Sequence, residues 1–348
     1  MIKKKIMAAA MSLMLILASG CGADNIQQKP TDSDTRPENT QTTEILCAAF
    51  AEYDWTRQIL GSNPAGISLR LINDSGMDMH SYQPSVADMV EIADADLIIF
   101  TGGDSEFWIE DALVSSASET RIQVEMMGIF EHNHELADCY TADNHDDHEG
   151  HGHDSHDSHD KHDEHDGHVH STDEHLWLSL KMAPAFITEI AEAVAAIDPA
   201  NAKYYNSNAS TYIDKIRDLD ARYQSAAADM VHGTILFADR YPFKYLLEDY
   251  GIGHVAAFPG CSAETEASFE TILSLSDAVD HLGLNAVAIL HKSKPDLAQT
   301  IIKNSGNKDA QILTLNSMQS VTKSDIQAGT TYLSIMEQNL EVLEKALS

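Results

Sequence analysis

The stretch from Asp198 to Ala228 reads DPANAKYYNSNASTYIDKIRDLDARYQSAAA, and it decides how the rest of the chain is organised. Asp198 followed by Pro199 is a favourable helix start, with Asp as the N-cap and Pro at the first helical position. Apolar side chains then recur at alternating spacings of four and three residues, at Tyr205, Ala209, Tyr212, Ile216, Leu219 and Tyr223. Because no Gly or Pro follows before Gly233, we expect one stiff helix of about 30 residues, or roughly 45 Å, over residues 199–229.

Short apolar runs flank this helix on both sides, and helix-like stretches separate them. We predict strands near Ile45–Ala51, Ser68–Ile72, Leu97–Thr101, Arg121–Glu125, Thr234–Asp239, His254–Phe258, Ala286–His291 and Gln311–Asn316. Apolar runs separated by helices are typical of parallel sheets that are covered on both faces. The prediction is therefore an α/β fold with two lobes, residues 44–198 and 230–348. Each lobe has a mostly parallel four-stranded sheet flanked by helices, and the long rigid helix joins them.

Residues 1–20 have the features of a signal peptide, with a basic start and an apolar run too short to span a bilayer. Small residues come directly before Cys21, which resembles a bacterial lipobox and predicts lipid attachment to the Cys21 thiol. An ordinary secretory peptide with an incidental Cys is the alternative. Residues 21–43 are polar and contain two Pro, as expected of a flexible tether. We expect an extracytoplasmic protein that is anchored to the cell membrane by its N-terminal lipid.

The charge of the chain is strongly negative. Its 348 residues include 22 Lys plus Arg against 55 Asp plus Glu, a formal net charge of −33. This excess argues against nucleic-acid binding through a basic surface, and it suits a protein that handles cations.

The segment from Asp143 to His170 reads DNHDDHEGHGHDSHDSHDKHDEHDGHVH. It cannot form a core, because Val169 is its only aliphatic residue, so we predict a disordered loop. Imidazole is a common zinc ligand and carboxylates attract cations, so the composition favours a weak, multi-site metal collector. An acidic spacer or a pH-sensitive tether are the alternatives. The accessory ligands would be His145, His148, His151, His153, His156, His159, His162, His165, His168 and His170.

Two further histidines stand in unusual settings. His80 lies in GMDMHSYQP at residues 76–84, after a predicted strand, and ligands bind at strand carboxyl ends in open α/β sheets. His175 lies in DEHLWLSL at residues 173–180, where the acidic segment ends. Either one alone is more typical of a surface or capped histidine. Together, next to a metal-collecting segment, they favour metal ligation.

The chain resembles the cluster A-I solute-binding lipoproteins of bacterial metal ABC transporters. GMDMHSYQP is similar to the family's Gly-x-x-Pro-His-x-Tyr-x-Pro segment, and DEHLWLSL to its Asp-x-His-x-Trp-Leu segment. The His-rich segment before the second motif resembles the zinc-specific branch, and the resemblance extends over residues 44–348. It implies two α/β lobes, a linking helix, a zinc or manganese ion in the cleft, and a membrane permease as partner. It also leads us to expect a monomer.

The chain departs from this family at two ligand positions. The resemblance places Arg240, in DRYPFKY, where the family has a His or Glu ligand, and Arg stays protonated and cannot coordinate a cation. It places Asn316 where the family has an Asp ligand, and an amide oxygen is a poor zinc ligand. We therefore expect both residues in the cleft without a ligand role.

Three hypotheses remain for the missing ligands. In the first, Cys261 and Glu264, which follow a predicted strand end and precede a helix, replace them. Asp239 and His291, also at strand ends, are weaker candidates. In the second, water or a histidine of the acidic segment completes the site, and Arg240 pairs with an acid such as Glu106 or Asp239. In the third, the metal arrives as an anionic chelate that Arg240 contacts.

The expected function is capture of Zn²⁺ and its delivery to an ABC permease. A zinc enzyme is disfavoured, because the sequence has no HExxH-type helix and no evident Ser/His/Asp arrangement. The alternatives are binding of Mn²⁺, another divalent metal or a metal chelate, and a surface metal buffer or adhesin.

Overall fold

Two four-stranded parallel sheets form the framework of the part of the chain that the structure describes. The structure is a computed structural model and describes residues 42–133, 173–258 and 266–348. The first sheet has the order β2-β1-β3-β4 and consists of β1 (Glu44–Cys47), β2 (Ser68–Leu71), β3 (Leu97–Phe100) and β4 (Ile122–Glu125). The second has the order β6-β5-β7-β8 and consists of β5 (Thr234–Phe237), β6 (Gly253–Ala256), β7 (Ala286–Leu290) and β8 (Gln311–Leu315). The predicted α/β class with two parallel four-stranded sheets is confirmed.

Helices cover both faces of each sheet. They are α1 (Phe50–Leu60), α2 (Val86–Asp94), α3 (Phe107–Ser115), α4 (Met126–His132), α5 (Ala183–Ile197), α6 (Ala202–Ala228), α7 (Lys244–Asp249), α8 (Phe269–His281), α9 (Asp296–Asn304), α10 (Lys323–Gln327) and α11 (Tyr332–Ala346). One buried apolar cluster extends from the first sheet to the second and includes Trp55, Trp177, Tyr223 and Tyr332. Two separate clusters lie under α2 and α3 on the outer face of the first sheet, and under α8 and α9 on that of the second.

The long helix predicted from the sequence is present. A 3-10 turn at Pro199–Asn201 leads into the 27-residue α6, which packs against α1, α5 and α11. The apolar stripe from Tyr205 to Tyr223 is buried, as its spacing requires. Asp198 acts differently from the predicted N-cap, because its carboxylate accepts hydrogen bonds from the Tyr205 hydroxyl at 2.6 Å and the Asn201 amide at 2.7 Å. Those bonds fix the turn before the helix.

The bounds of all eight predicted strands differ from those in the structure, most of them by only one or two residues at one end. The first ends at Cys47 rather than Ala51, because the Glu52 carboxylate accepts hydrogen bonds from the backbone N–H groups of Ala48 and Ala49 and turns the chain into α1. The sixth runs over Gly253–Ala256 rather than His254–Phe258.

The sheet order places a candidate site at the carboxyl end of β1. Helix α1 leaves β1 towards the inner core, whereas α2 and α3 cover the outer face of the same sheet. Such a switch point between the two layers is where open α/β sheets bind ligands. The loop after β2 carries His80 and the loop after β3 carries Ser105, so both reach this end of the sheet.

Several predictions fall outside the described residues. These are the signal peptide at 1–20, lipidation at Cys21, the His-rich segment at 143–170, and the candidate ligands Cys261 and Glu264. Within the described ranges, no helix combines the length and the hydropathy needed to cross a bilayer.

Candidate metal centre

His80 is held in a tight turn after β2. It lies in a 3-10 turn at Met79–Ser81, and the carboxylate of Asp78 accepts a hydrogen bond from the His80 backbone N–H at 3.0 Å. Gly76 makes this loop possible: its φ is +71°, and a Cβ there would lie 2.7 Å from the carbonyl oxygen of Ser320. The His80 Nδ1 atom lies 2.5 Å from the Ser105 hydroxyl oxygen, so the Nε2 edge of the ring faces the opposite way.

His175 is fully buried and oriented by its neighbour Asp173. The Asp173 carboxylate lies 2.9 Å from both the backbone nitrogen and the Nδ1 atom of His175, and it accepts a hydrogen bond from each. A proton on Nδ1 leaves the lone pair on Nε2. A carboxylate behind a histidine fixes the tautomer and raises the basicity of the nitrogen that meets a metal.

The two imidazoles face each other through Nε2. The His80 Nε2 and His175 Nε2 atoms are 3.3 Å apart, and the ring planes are tilted by 53°. Two nitrogens bound to one tetrahedral Zn²⁺ at 2.0–2.1 Å lie about 3.3–3.4 Å apart. The pair therefore has the spacing of two adjacent ligands of one zinc ion.

The surroundings keep His80 uncharged at neutral pH. The pKa of His80 is lowered to about 4, with burial as the largest cause. The nearby His175 and the positive charge of Arg240 also lower it, against the raising effect of Asp78 and Asp173. A metal needs the neutral imidazole, so proton competition at this ring is weak.

Arg240 closes the other side of the site with an ion pair. Its guanidinium donates a hydrogen bond to the Asp78 carboxylate at 2.7 Å, with both side chains about three-quarters buried. Arg240 therefore pairs with an acid, as the second hypothesis expects, but the named examples Glu106 and Asp239 are not that acid. Glu106 is turned inward, where it accepts hydrogen bonds from the backbone N–H groups of Thr101 and Gly102, and burial raises the pKa of its carboxyl to about 8.

The side chains of Asp239 and Asn316 are engaged by backbone N–H groups near the second sheet. The Asp239 carboxylate accepts hydrogen bonds from the backbone N–H groups of Arg240 at 2.9 Å and Leu290 at 3.2 Å. The Asn316 side-chain oxygen accepts from the Met318 N–H at 2.8 Å. In the described part of the chain, no group of three or more His, Cys, Asp or Glu side chains is arranged to hold a metal ion. The structure thus brings His80 and His175 together but does not add Asp239 to them.

The segment that carries His175 is tied to the second sheet's side of the molecule, which sequence reasoning missed. The Tyr245 hydroxyl donates to the Asp173 carbonyl at 2.9 Å. The Trp177 indole N–H donates to the Ser317 carbonyl at 3.0 Å, and the Tyr332 hydroxyl donates to the Trp177 carbonyl at 2.8 Å. Only the aromatic character of these residues was visible in the sequence, and it indicated packing rather than these bonds.

Comparison with known proteins places the chain among zinc-uptake proteins. The family model described as zinc-uptake complex component A, periplasmic, matches residues 45–346. The zinc-binding protein AdcA of Streptococcus pyogenes serotype M3 is 28% identical over 308 residues, which are 86% of this chain and 55% of the relative. The chain thus spans about half the length of that relative. The high-affinity zinc uptake system protein ZnuA of Bacillus subtilis is 24% identical, with 87% of each chain covered.

Solved structures share the fold. The metal-dependent lipoprotein YcdH of Bacillus subtilis has a TM-score of 0.67 and 23% identity, and the match covers 88% of this chain and 99% of that one. The Zn(II)-bound ZnuA-like domain of Streptococcus pneumoniae AdcA has a TM-score of 0.65 and 22% identity, covering 88% and 99% respectively. Because the family model matches most of its length, this chain belongs to the periplasmic zinc-uptake complex component A family.

Proposed function

We propose that this chain captures Zn²⁺ between His80 Nε2 and His175 Nε2 and delivers it to the membrane permease of an ABC importer. The observation that carries the proposal is the 3.3 Å separation of these two nitrogens, with the opposite nitrogen of each ring held by Ser105 or Asp173. The matched family consists of solute-binding proteins rather than enzymes. The proposal includes an extracytoplasmic location and a lipid anchor at Cys21.

Zinc is favoured over manganese by the donor atoms. Imidazole nitrogen suits zinc, whereas manganese favours oxygen-rich sites. The Asn316 side-chain oxygen, which suits a harder cation, is already engaged by the Met318 N–H. Two imidazoles leave further coordination positions for water or for Cys261 or Glu264, which stay candidate ligands.

Replacing each histidine by alanine tests the cleft site. The background is the chain without residues 143–170, so that the ten histidines of that segment do not obscure the titration. We expect one tight zinc equivalent in this background, and His80→Ala or His175→Ala to weaken it at least about 100-fold in competition with a chelating indicator, since each removes a first ligand.

His281→Ala is the matched control, because His281 is exposed at the end of α8. It should bind zinc like the parent. Undiminished tight binding in both cleft variants would remove the basis of the proposal. Loss of all binding on deletion of residues 143–170 would instead identify a passive metal buffer.

A further inference from the structure

We infer that Glu174 is a positioning residue for His80: its carboxylate lies behind the imidazole, orders the proton on Nδ1, and supplies negative charge to balance the bound cation. The inference rests on the proposed function, because it assigns a role next to the same pair of histidines. Glu174 does not contact the ion in this scheme. It acts through Ser105 and His80.

Glu174 is buried, and one of its oxygens is left without a partner. Only 8% of the Glu174 surface is exposed to solvent. Its Oε1 atom accepts a hydrogen bond from the Ser105 backbone N–H at 2.9 Å. Its Oε2 atom has no hydrogen-bond partner and lies 3.8 Å from His80 Nδ1. Burying an unpaired carboxylate oxygen costs free energy, so its retention next to two facing histidines indicates that positive charge arrives there.

The backbone is shaped to admit this carboxylate. Gly103, in the loop after β3, has a φ of +84°, and a Cβ at this position would lie 2.6 Å from Glu174 Oε1. Any side chain there would push the carboxylate away from Ser105 and His80. Two features of Gly103, its positive φ and its missing side chain, therefore serve the placement of Glu174.

The two histidines are served by adjacent acids. Asp173 accepts a hydrogen bond from Nδ1 of His175, and Glu174 Oε2 lies 3.8 Å from Nδ1 of His80, the ring nitrogen that also meets the Ser105 hydroxyl. When His80 offers its Nε2 lone pair to a metal, its proton must sit on Nδ1 and be donated to the Ser105 oxygen. Glu174 Oε2, which has no hydrogen-bond partner of its own, faces that Nδ1 edge from 3.8 Å and favours the proton there by its negative charge.

This arrangement also balances charge in a site whose two histidine ligands carry no negative charge. Neutral imidazoles leave the two positive charges of Zn²⁺ uncompensated, and Arg240 adds a third that Asp78 neutralises. Asp173 and Glu174 supply the two negative charges that remain necessary. Carboxylates placed behind ligating histidines typically change metal affinity by about 10–100-fold.

Glu174→Gln tests this role in the full chain. Glutamine keeps the size of the side chain and an oxygen that can accept from the Ser105 N–H, but it removes the charge. We expect zinc affinity of the tight site to fall about 10–100-fold, and Glu174→Asp to recover part of the loss. Nitrogen-15 NMR of the zinc-free protein should report a proton on Nδ1 of His80 in the parent and a weakened preference for that tautomer in the Gln variant.

Glu52→Gln is the control, since Glu52 is another buried acid of the same lobe whose carboxylate accepts backbone N–H groups. It should leave zinc affinity unchanged. Glu174→Gln affinity within twofold of the parent would overturn the inference. So would a cobalt-substituted absorption spectrum that loses a ligand in this variant, because Glu174 would then bind the metal directly. Failure of the proposed function would give a different result, namely tight zinc binding that persists in both His80→Ala and His175→Ala.

Discussion

The two sides of the candidate centre are built for different tasks. On the side of the first sheet, His80 and His175 direct their Nε2 atoms at one point, and each ring has a carboxylate or hydroxyl behind it. On the side of the second sheet, Arg240 presents a cation, and Asp78 neutralises it across the site. The difference shows that donor atoms are concentrated on one side, while the other contributes charge and geometry.

The first side of the centre is held in place partly by residues of the second half of the chain. His175 comes before the long helix, yet Tyr245, Ser317 and Tyr332, which come after it, hold its segment by hydrogen bonds. His80 lies in a loop of the first sheet. The spacing of the two Nε2 atoms therefore depends on how the halves of the molecule are packed together.

Arg240→His would give the second side a donor, and we expect the largest effect from it. Histidine replaces a charge that repels the cation by a neutral nitrogen at the position where the family resemblance places a ligand. The zinc affinity of the tight site should rise about 100-fold, at the upper end of the effect that a single residue of a metal site typically has on affinity. Competition titration with a chelating indicator measures it.

Arg240→Gln separates the two contributions. Glutamine removes the cation and its ion pair with Asp78 but adds no good zinc ligand. Its affinity should lie between those of the parent and the His variant. Equal affinities for the Gln and His variants would mean that position 240 does not reach the metal, and the contrast between the two sides would then be one of charge alone.

Sequence patterns predicted the parts of this contrast that depend on local spacing. The stripe from Tyr205 to Tyr223 predicted α6, and two short motifs predicted that His80 and His175 meet. The partner of Arg240 was not predictable, because Asp78 is 162 positions away and only the packing of the folded chain brings the two together. Glu174 was missed because it occupies an unspecified position of its motif, and its role appears only when burial and the Gly103 backbone are known.

The pH dependence of stability tests how strongly the positive charge of Arg240, on the second side, lowers the pKa of His80. The pKa of His80 is about 4 when folded, against about 6.5 for an ordinary histidine, because of burial, His175 and Arg240. The unfolded chain takes up a proton near pH 6.5 and the folded chain does not. The contribution of His80 to stability is therefore present above about pH 6.5 and is lost as the pH falls towards about 4.

The measurement is urea unfolding of the metal-free parent and of metal-free His80→Asn, each at about pH 7.5 and about pH 5, either side of the ordinary histidine pKa. We expect the parent to lose about 1–2 kcal/mol more than the variant over this interval, a figure reduced for the part of the ring that meets solvent. Arg240→Gln should flatten the slope, because one of the causes of the low pKa is gone. Equal slopes in the parent and His80→Asn would show that His80 titrates normally.

Tyr245→Phe should give the smallest change, and it tests whether the second side positions His175. The Tyr245 hydroxyl donates to the Asp173 carbonyl, and the Asp173 carboxylate orients the imidazole. Removing one hydroxyl from a buried hydrogen bond costs about 1 kcal/mol, which corresponds to about a fivefold loss of zinc affinity if the bond holds the ligand geometry. The same competition titration measures it.

Tyr223→Phe is the matched control, because its buried hydroxyl donates to the Met336 carbonyl, between α6 and α11 and away from the histidines. Both variants should lose similar stability against urea, since each loses one hydrogen bond donated by a tyrosine hydroxyl to a backbone carbonyl. Only Tyr245→Phe should also weaken zinc binding. If the two variants change affinity equally, the loss reflects general loosening of the interface. The second side would then contribute charge to the site but would not set the position of His175.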